Sequence, residues 1–353
     1  MQISNWGSLA LVRSLLAQRG TPERYAALQA DVLVEAELKG HPSHGLQRLP
    51  RLLARMDLGL LNPSASGQSH WRSDAVLVVE GEQGLGPVVA MQALHQLHQR
   101  AASTGIALAA IRNSNHLGML AWYVEHIAAR GCIGIVFSSS EALVHPHGGT
   151  RAFLGTNPFA IAVPTAGRPL VLDASTSMVS MGKIHHYAAS GRPLPEGWAR
   201  DREGHPTTDA ARAMHGAIAP FGGAKGYGLG IAIELLIAAL AGSALAPNVR
   251  GTLDADALCN KGDVLVVIDA ASAPDVSQQL SAYLDTVRDS PSSEPDCPVR
   301  VPGDGATQRR THSLKSGFDI APQLWAELQA LDLQTPSSPS SFTPAYILEG
   351  QKQ

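Results

Sequence analysis

Apolar residues recur with a helical period over the first 60 positions. Leu9, Val12, Leu15 and Leu16 fall on one face of a first helix. Thr21-Pro22-Glu23 reads as a helix start, with a capping hydroxyl, a proline in the first turn and an acid facing the dipole. The helix it opens is expected to run to about residue 39, where Gly40 ends it. Leu46, Leu49, Leu53 and Met56 mark a third helix that stops near Gly59. From residue 74 the rhythm changes. Residues 75–79 form an apolar strand, 87–102 a helix, 106–111 a strand, 117–129 a helix and 133–137 a strand. Short strands follow at 159–163 and 170–172. Residues 176–222 are rich in Gly and Pro and read as a long ordered excursion. An apolar helix at 225–241, a strand at 264–269 and a helix at 276–287 complete the pattern. Residues 289–311 read as polar loop, and 337–341 as part of a low-complexity, flexible tail. The alternation of strand and helix is α/β, and no internal repeat is visible.

Composition narrows the class. The chain has 353 residues, enough to bury a large core without disulfide or metal staples. Hydrophobic residues make up 44% and charged residues 16%, the reverse of a disordered chain. A net charge of −3 argues against binding nucleic acid or a membrane surface by bulk charge. Cys132, Cys259 and Cys297 are odd in number and include no C-x-x-C, so a reducing cytoplasm is expected. The N-terminus lacks the basic and apolar regions of a signal peptide. The most apolar stretch, 229–241, is interrupted by Glu234 and shorter than the ~20 residues a bilayer requires. The 14 histidines raise a metal hypothesis.

Several familiar motifs are missing. No G-x-G-x-x-G follows a strand, and there is no P-loop, no G-x-S-x-G elbow and no H-E-x-x-H. Five constellations stand in their place. Ser43-His44-Gly45 with Arg48 would put His44 and Arg48 on one helix face if the third helix began near His44. A histidine moves protons near neutral pH and an arginine clamps a carboxylate, though a cap and a solvated cation would read the same way. Asn113-Ser114-Asn115-His116-Leu117-Gly118 follows a strand end, where α/β proteins place ligand groups or simply a polar turn. Ser138-Ser139-Ser140, His145-Pro146-His147-Gly148-Gly149 and Gly155-Thr156-Asn157-Pro158 are turns open to an anion. His145 and His147 have no carboxylate or thiol at ligand spacing, and a metal is not expected. Asp173-Ala174-Ser175-Thr176-Ser177 can hold a ribose or form an Asx turn. Gly222-Gly223-Ala224-Lys225-Gly226 opens the apolar helix and resembles a phosphate site or a close-packing stripe.

The order of these motifs resembles the type-2 malate/L-lactate dehydrogenase family. That family includes L-sulfolactate, ureidoglycolate and diketogulonate oxidoreductases and the cyclic-imine carboxylate reductases. The likeness covers about residues 40–305 and continues through Gly182-Lys183, Leu194-Pro195-x-Gly197-Trp198, Gly204-x-Pro206-Thr207-Thr208-Asp209 and Pro302-Gly303. It implies a mixed-sheet, non-Rossmann NAD(P)-binding α/β domain over 73–274. It also implies a helical domain over 1–72, completed by C-terminal helices at about 275–335, with 336–353 as the tail. The implied protein is a homodimer that interconverts a 2-hydroxy acid and its 2-oxo acid.

Carried over by motif, Arg48 and Thr156 would touch the substrate carboxylic acid. His44 or His116 would exchange the proton, with Ser43 and Lys183 beside them. Ser140, Asp173, Ala174, Ser175, Lys225, Gly303 and Asp304 would face the cofactor, NAD with NADP as the alternative. Ser175 replaces the commoner alanine. Lys183 stands where the imine reductases tend to carry an acid, which favours the hydroxy-acid reading over the imine one.

Overall fold

The computed structural model describes residues 1–270, 274–294 and 296–333. Helices are α1 (Asn5–Ala17), α2 (Glu23–Leu38), α3 (Leu49–Asp57), α4 (Gly86–Thr104), α5 (Ala121–Ala128), α6 (Met181–Ala189), α7 (Ala210–Ala213), α8 (Ala224–Ala241), α9 (Pro274–Arg288), α10 (Asp304–Ser316) and α11 (Pro322–Leu333). Strands are β1 (Gln2–Ile3), β2 (Gln68–Ser73), β3 (Val76–Glu80), β4 (Ile106–Arg112), β5 (Cys132–Ser138), β6 (Phe159–Val163), β7 (Leu170–Ala174), β8 (Ala199–Arg200), β9 (Pro206–Thr207), β10 (Ala217–Ile218), β11 (Gly262–Asp269) and β12 (Phe318–Asp319).

Seven strands form one mixed sheet in the order β2-β3-β4-β11-β5-β6-β7. Only β3 and β4 run parallel; the other neighbours are antiparallel. This is not the doubly wound parallel sheet that a G-x-G-x-x-G fingerprint serves, in keeping with the absence of that motif. Strand β11 arrives from late in the chain and takes the centre, between β4 and β5. Its side chains alternate. Leu265 and Val267 enter the core under α4 and α5 with Val89, Ala93 and Ile127. Val264 and Val266 face the other way, against Ile233 and Ile237 of α8.

The two chain ends make a second, helical core. β1 pairs with β12, and Leu324, Trp325 and Leu328 of α11 pack with Val12 and Leu15 of α1. Between β7 and α8, the Gly/Pro-rich excursion carries α6, α7 and a three-stranded sheet over a small core of Val179, Ile184, Leu194 and Ile218.

The structure departs from the sequence reading at four places. Pro22, not Thr21, takes the N-cap of α2, its carbonyl accepting from Tyr25 N at 2.8 Å, while the Thr21 hydroxyl is buried without a partner. Residues 42–48 form two 3₁₀ turns, Pro42–His44 and Leu46–Arg48, so the third helix starts only at Leu49. The expected polar loop at 289–311 contains the start of α10, a helix that buries none of its residues and so carries no apolar period. Strand β2 is an exposed polar edge strand for the same reason. The expected tail lies outside the described residues.

Among the described residues, α8 is a helix long and apolar enough to cross a membrane by length and composition. Its Glu234 is buried and tied to the protein, accepting from Asn157 Nδ2 at 2.9 Å, Ala246 N at 2.8 Å and Gly155 N at 3.2 Å.

At the start of β11, Lys261 and Asp263 form a fully buried ion pair. Asp263 also accepts from Ser138 Oγ at 2.6 Å and Ser114 Oγ at 3.1 Å. One carboxylate thus ties the loop that follows β4 to the end of β5. Removing one partner of such a pair strands a charge in the core. We expect Asp263→Ala to lower unfolding free energy in urea by about 3–5 kcal/mol, and Lys261→Met with Asp263→Leu to lose clearly less. A loss below about 1 kcal/mol for Asp263→Ala would contradict the role given to this pair.

Candidate active site

A cleft of about 1890 Å³, counting its open mouth, lies where the 42–48 turns meet the loops after β4, β5 and β7. The first wall comes from the turns. Pro42 starts the first turn and Gly45 separates the two. Gly45 is dictated by packing, because a Cβ there would stand 2.4 Å from Glu37 Oε1. Glu37 in turn accepts from Leu46 N at 2.7 Å. Arg48 is drawn back over the first turn, its Nε donating to Ser43 O at 2.8 Å and Nη1 to Thr252 O at 3.4 Å. His44 and Arg48 therefore reach one cleft from separate turns, not from one α-helical face.

The second wall is the loop after β4. Asn115 is buried and holds the loop in place. Its Oδ1 accepts from Arg55 Nε at 3.0 Å, and its Nδ2 donates to Gln83 O at 2.7 Å. Gly118 has φ +80°, and a Cβ on it would lie 2.6 Å from Val32. Its N–H donates to His116 Nδ1 at 2.9 Å. The His44 and His116 rings then face each other with centroids 5.6 Å apart.

Both imidazoles are held neutral. Burial pushes His44 down to about 3, with Arg48 and His41 adding to the shift. Burial, then Arg48 and His44, take His116 well below the usual histidine range. Because Nδ1 of neutral His116 accepts from Gly118, its proton sits on Nε2. His44 Nδ1 lies 3.1 Å from Ser43 Oγ, a contact that either tautomer satisfies. Arg48 has no carboxylate within ion-pair distance among the described residues. Burial and then Arg51 bring it down to about 10, still cationic at neutral pH.

The third wall is polar backbone and hydroxyls. Ser140 Oγ accepts from Thr156 N at 3.0 Å, and Thr176 Oγ1 donates to Thr156 O at 3.0 Å. Ser138, Ser139, Ala174 and Ser175 line the same wall. Asp173 accepts from Ala121 N at 2.7 Å, with the Leu120 backbone N–H also directed at it. Burial raises its pKa to about 6, against the lowering effect of these backbone N–H groups. This wall of hydroxyls, backbone amides and one carboxylate suits a ribose and phosphate ligand.

Four sequence candidates stand away from the cleft lining. Lys183 is exposed, with Nζ 5.3 Å from the Trp198 ring centroid. Lys225 is exposed on the first turn of α8. Gly303 caps α10 at φ +95°. Asp304 pairs with Arg288 at 2.9 Å and Arg168 at 3.7 Å. The cleft also takes in His41, Arg51, His185 and Thr252, which the motif reading did not single out. Arg51 lies three residues beyond Arg48, a helical spacing visible in the sequence; Thr252 sits in a loop with no periodic signal. Among the described residues, no three His, Cys, Asp or Glu side chains gather as a metal site.

Fold and cleft together define an α/β protein that sets an unpaired arginine beside two neutral histidines, facing a hydroxyl-rich wall. The chain belongs to the malate/L-lactate dehydrogenase family, whose model matches residues 8–329. It is 35% identical over 324 residues to L-sulfolactate dehydrogenase of Methanocaldococcus jannaschii, covering 91% of this chain and 93% of that one. Among solved structures, a dehydrogenase from Sinorhizobium meliloti is 54% identical with a TM-score of 0.91, covering 94% of this chain and 98% of the other. A Δ1-piperideine-2-carboxylate reductase from Pseudomonas syringae pvar. tomato is 29% identical with a TM-score of 0.84, covering 94% and 99%.

Glu37, which props the His44–Arg48 turns, makes a pH signature. Burial raises its pKa to about 7, against the lowering effect of Leu46 N–H. Between the ordinary carboxyl value and about 7 the folded protein holds a proton that the unfolded chain has lost. Stability therefore falls as pH rises through that window, by on the order of 3 kcal/mol for this group. Glu37→Gln keeps an acceptor for Leu46 N and cannot ionise. The unfolding free energy of Glu37→Gln minus wild type should grow from pH 4.5 to pH 7.5. A difference that stays flat would contradict the assignment.

Proposed function

We propose that the protein is an NAD(P)-dependent oxidoreductase that interconverts a small 2-hydroxy acid and its 2-oxo acid. The observation that carries this reading is the pairing of two neutral, facing imidazoles with an arginine that has no carboxylate partner. Arg48 holds the substrate carboxylate by two parallel hydrogen bonds. His116, protonated on Nε2, donates to the substrate oxygen and orients it. His44 exchanges the hydroxyl proton through Nε2, with Ser43 Oγ accepting from Nδ1–H as it does so. Thr156 completes the substrate side. Lys183 and Lys225 remain candidates for the assembled enzyme, Lys183 near the reaction and Lys225 toward the cofactor.

A nicotinamide dinucleotide supplies the hydride chemistry when bound. Ser140, Asp173, Ala174 and Ser175 would hold it, with Gly303 and Asp304 toward its far end. NAD is the preferred form. A 2′-phosphate would need a basic partner; Arg310 is paired to Glu35 at 2.5 Å, and Arg309 Nε donates to Lys39 O at 2.7 Å. NADP is the alternative, and parallel titrations with both decide.

A second reading within the family is a cyclic-imine carboxylate reductase, favoured by the likeness to the piperideine-carboxylate enzyme. Against it, position 183 is a lysine stacked on Trp198 and not an acid. Turnover of a cyclic imine acid that exceeds that of every 2-oxo acid would reverse the preference. The three cysteines are free, consistent with a cytoplasmic enzyme.

The proposal extends to a homodimer. The outer side of α8 exposes Leu229, Ile231, Leu235 and Leu236, an apolar surface that a second copy would cover. Light scattering should give twice the chain mass, and Leu235→Glu should shift it toward the monomer; a monomeric wild type at micromolar concentration would refute this.

His44→Ala should lower kcat at least on the order of 10²-fold with every 2-hydroxy acid the enzyme oxidises. Arg48→Lys should act chiefly on KM. Wild-type kcat in both His44→Ala and His116→Ala would refute the assignment of roles.

A further inference from the structure

A second pocket lies against α4 and α5, on the face of the sheet opposite α8. It is bounded by the start of α2, by α4 and by the end of α5, and encloses about 940 Å³ counting its open mouth. It shares no lining residue with the cleft. Its floor is apolar, made by the buried Val88 and Leu94 and the half-buried Leu28 and Met91. Its rim is basic and more open to water. Arg24 comes from α2, His95 and His98 from α4, His126 from α5, and Arg130 from just beyond that helix. His95 and His98 are three residues apart and so share one helix face.

These basic groups have hydrogen-bonding capacity to spare. Among the described residues, the Arg130 guanidinium and the His98 ring make no hydrogen bond and no ion pair. Arg24 gives one N–H to Tyr25 Oη at 2.9 Å and lies 4.7 Å from the centre of that ring. It sits in the first turn of α2, where the helix dipole gives a cation no support. His126 gives Nδ1–H to Trp122 O at 2.7 Å, with its ring stacked on Trp122 at 3.9 Å, and keeps Nε2 free. His95 accepts from Gln99 through Nε2 at 3.2 Å, which leaves Nδ1–H free. Among the described residues no acid lines the pocket. On the helices that form it, Asp31 accepts from Trp122 Nε1 at 3.0 Å, Glu125 is paired to Lys39, and Glu23 stands outside the lining. Burial takes His98 down to about 4, with Arg130 and His95 adding to the shift. A negative charge in the pocket would oppose that effect. A cation has no place there, and the three histidines do not gather as a metal site.

We propose that this pocket is a second ligand site, separate from the cleft, for a phosphate monoester that carries an apolar body. The apolar body rests on the floor, and the phosphate meets the two arginines and the histidines. A phosphate suits this rim better than a carboxylate. It brings three acceptor oxygens and close to two charges for the arginines. Its second proton, lost near a pH of about 6, can pass to an imidazole such as His126 at Nε2. The proposal does not depend on the oxidoreductase reading.

Calorimetry on the full chain at neutral pH, with phenyl phosphate, inorganic phosphate and benzoate as probes, tests it. Phenyl phosphate should bind at least ~10-fold more tightly than either of the others, since only it fills both floor and rim. The double variant Arg24→Gln, Arg130→Gln should weaken its binding at least ~30-fold, and Arg130→Lys alone should keep most of it. Both arginines are exposed, so these changes should leave the fold intact. Arg48→Gln, which alters the cleft, should leave phenyl phosphate binding unchanged. No binding of phenyl phosphate overturns the proposal. Inorganic phosphate binding as tightly removes the role of the floor, and benzoate binding as tightly removes the phosphate; either overturns the ligand class. Binding that is lost in Arg48→Gln and kept in the double variant puts the ligand in the cleft and overturns the second site.

Discussion

The geometry of the cleft depends on one buried carboxylate. Asp263 sits at the start of the central strand and is fully enclosed. It binds Lys261 just before its strand, Ser114 from the loop that carries His116, and Ser138 at the end of β5, two residues before Ser140. The ion pair and two hydroxyl donors together satisfy a charge that would otherwise be costly so deep in a sheet. Backbone bonds at the start of this strand reinforce it, with Ser139 N donating to Gly262 O at 3.0 Å and Asn113 N to Lys261 O at 3.2 Å. The loop that carries His116 and the segment that carries Ser140 are thus fastened to one point.

The opposite wall is fixed by a different kind of constraint. Glu37 fills the space that a side chain at position 45 would need, and it caps Leu46 N. That packing keeps the Ser43–Arg48 segment in two tight turns and places His44 against His116. Burial does most to lower the basicity of both histidines; Arg48 adds to it at each, and Arg51 adds a smaller part at His116. A neutral imidazole is the form that can take a proton from a hydroxyl, and a cationic cleft suits an anionic ligand.

Much of this was legible in the sequence, for physical reasons. Strong apolar periods gave away α1, α2, α4 and the inner strands, since each buries one face in a core. The polar motifs at strand ends, Asn113–Gly118, Ser138–Ser140 and Asp173–Ser175, do converge on one cleft. What was not legible lacked a burial signal. α10 and β2 are exposed and carry no apolar stripe. The 3₁₀ turns at 42–48 depend on a contact between Glu37 and Gly45, a tertiary fact that local pattern does not encode. The placement of β11 in the middle of the sheet is likewise a long-range pairing, and it is the source of Asp263.

The account's central claim is that a hydrogen leaves C2 of a 2-hydroxy acid as hydride while a histidine takes the hydroxyl proton. The most direct measurement follows isotope, not absorbance. A 2-hydroxy acid labelled with deuterium at C2 is incubated with the enzyme and oxidised nicotinamide cofactor in ordinary water, and the reduced cofactor is read by NMR. The account predicts deuterium at C4 of the nicotinamide, with none lost to solvent. Reduced cofactor carrying solvent hydrogen at C4, or no reduction with any 2-hydroxy acid, would contradict it.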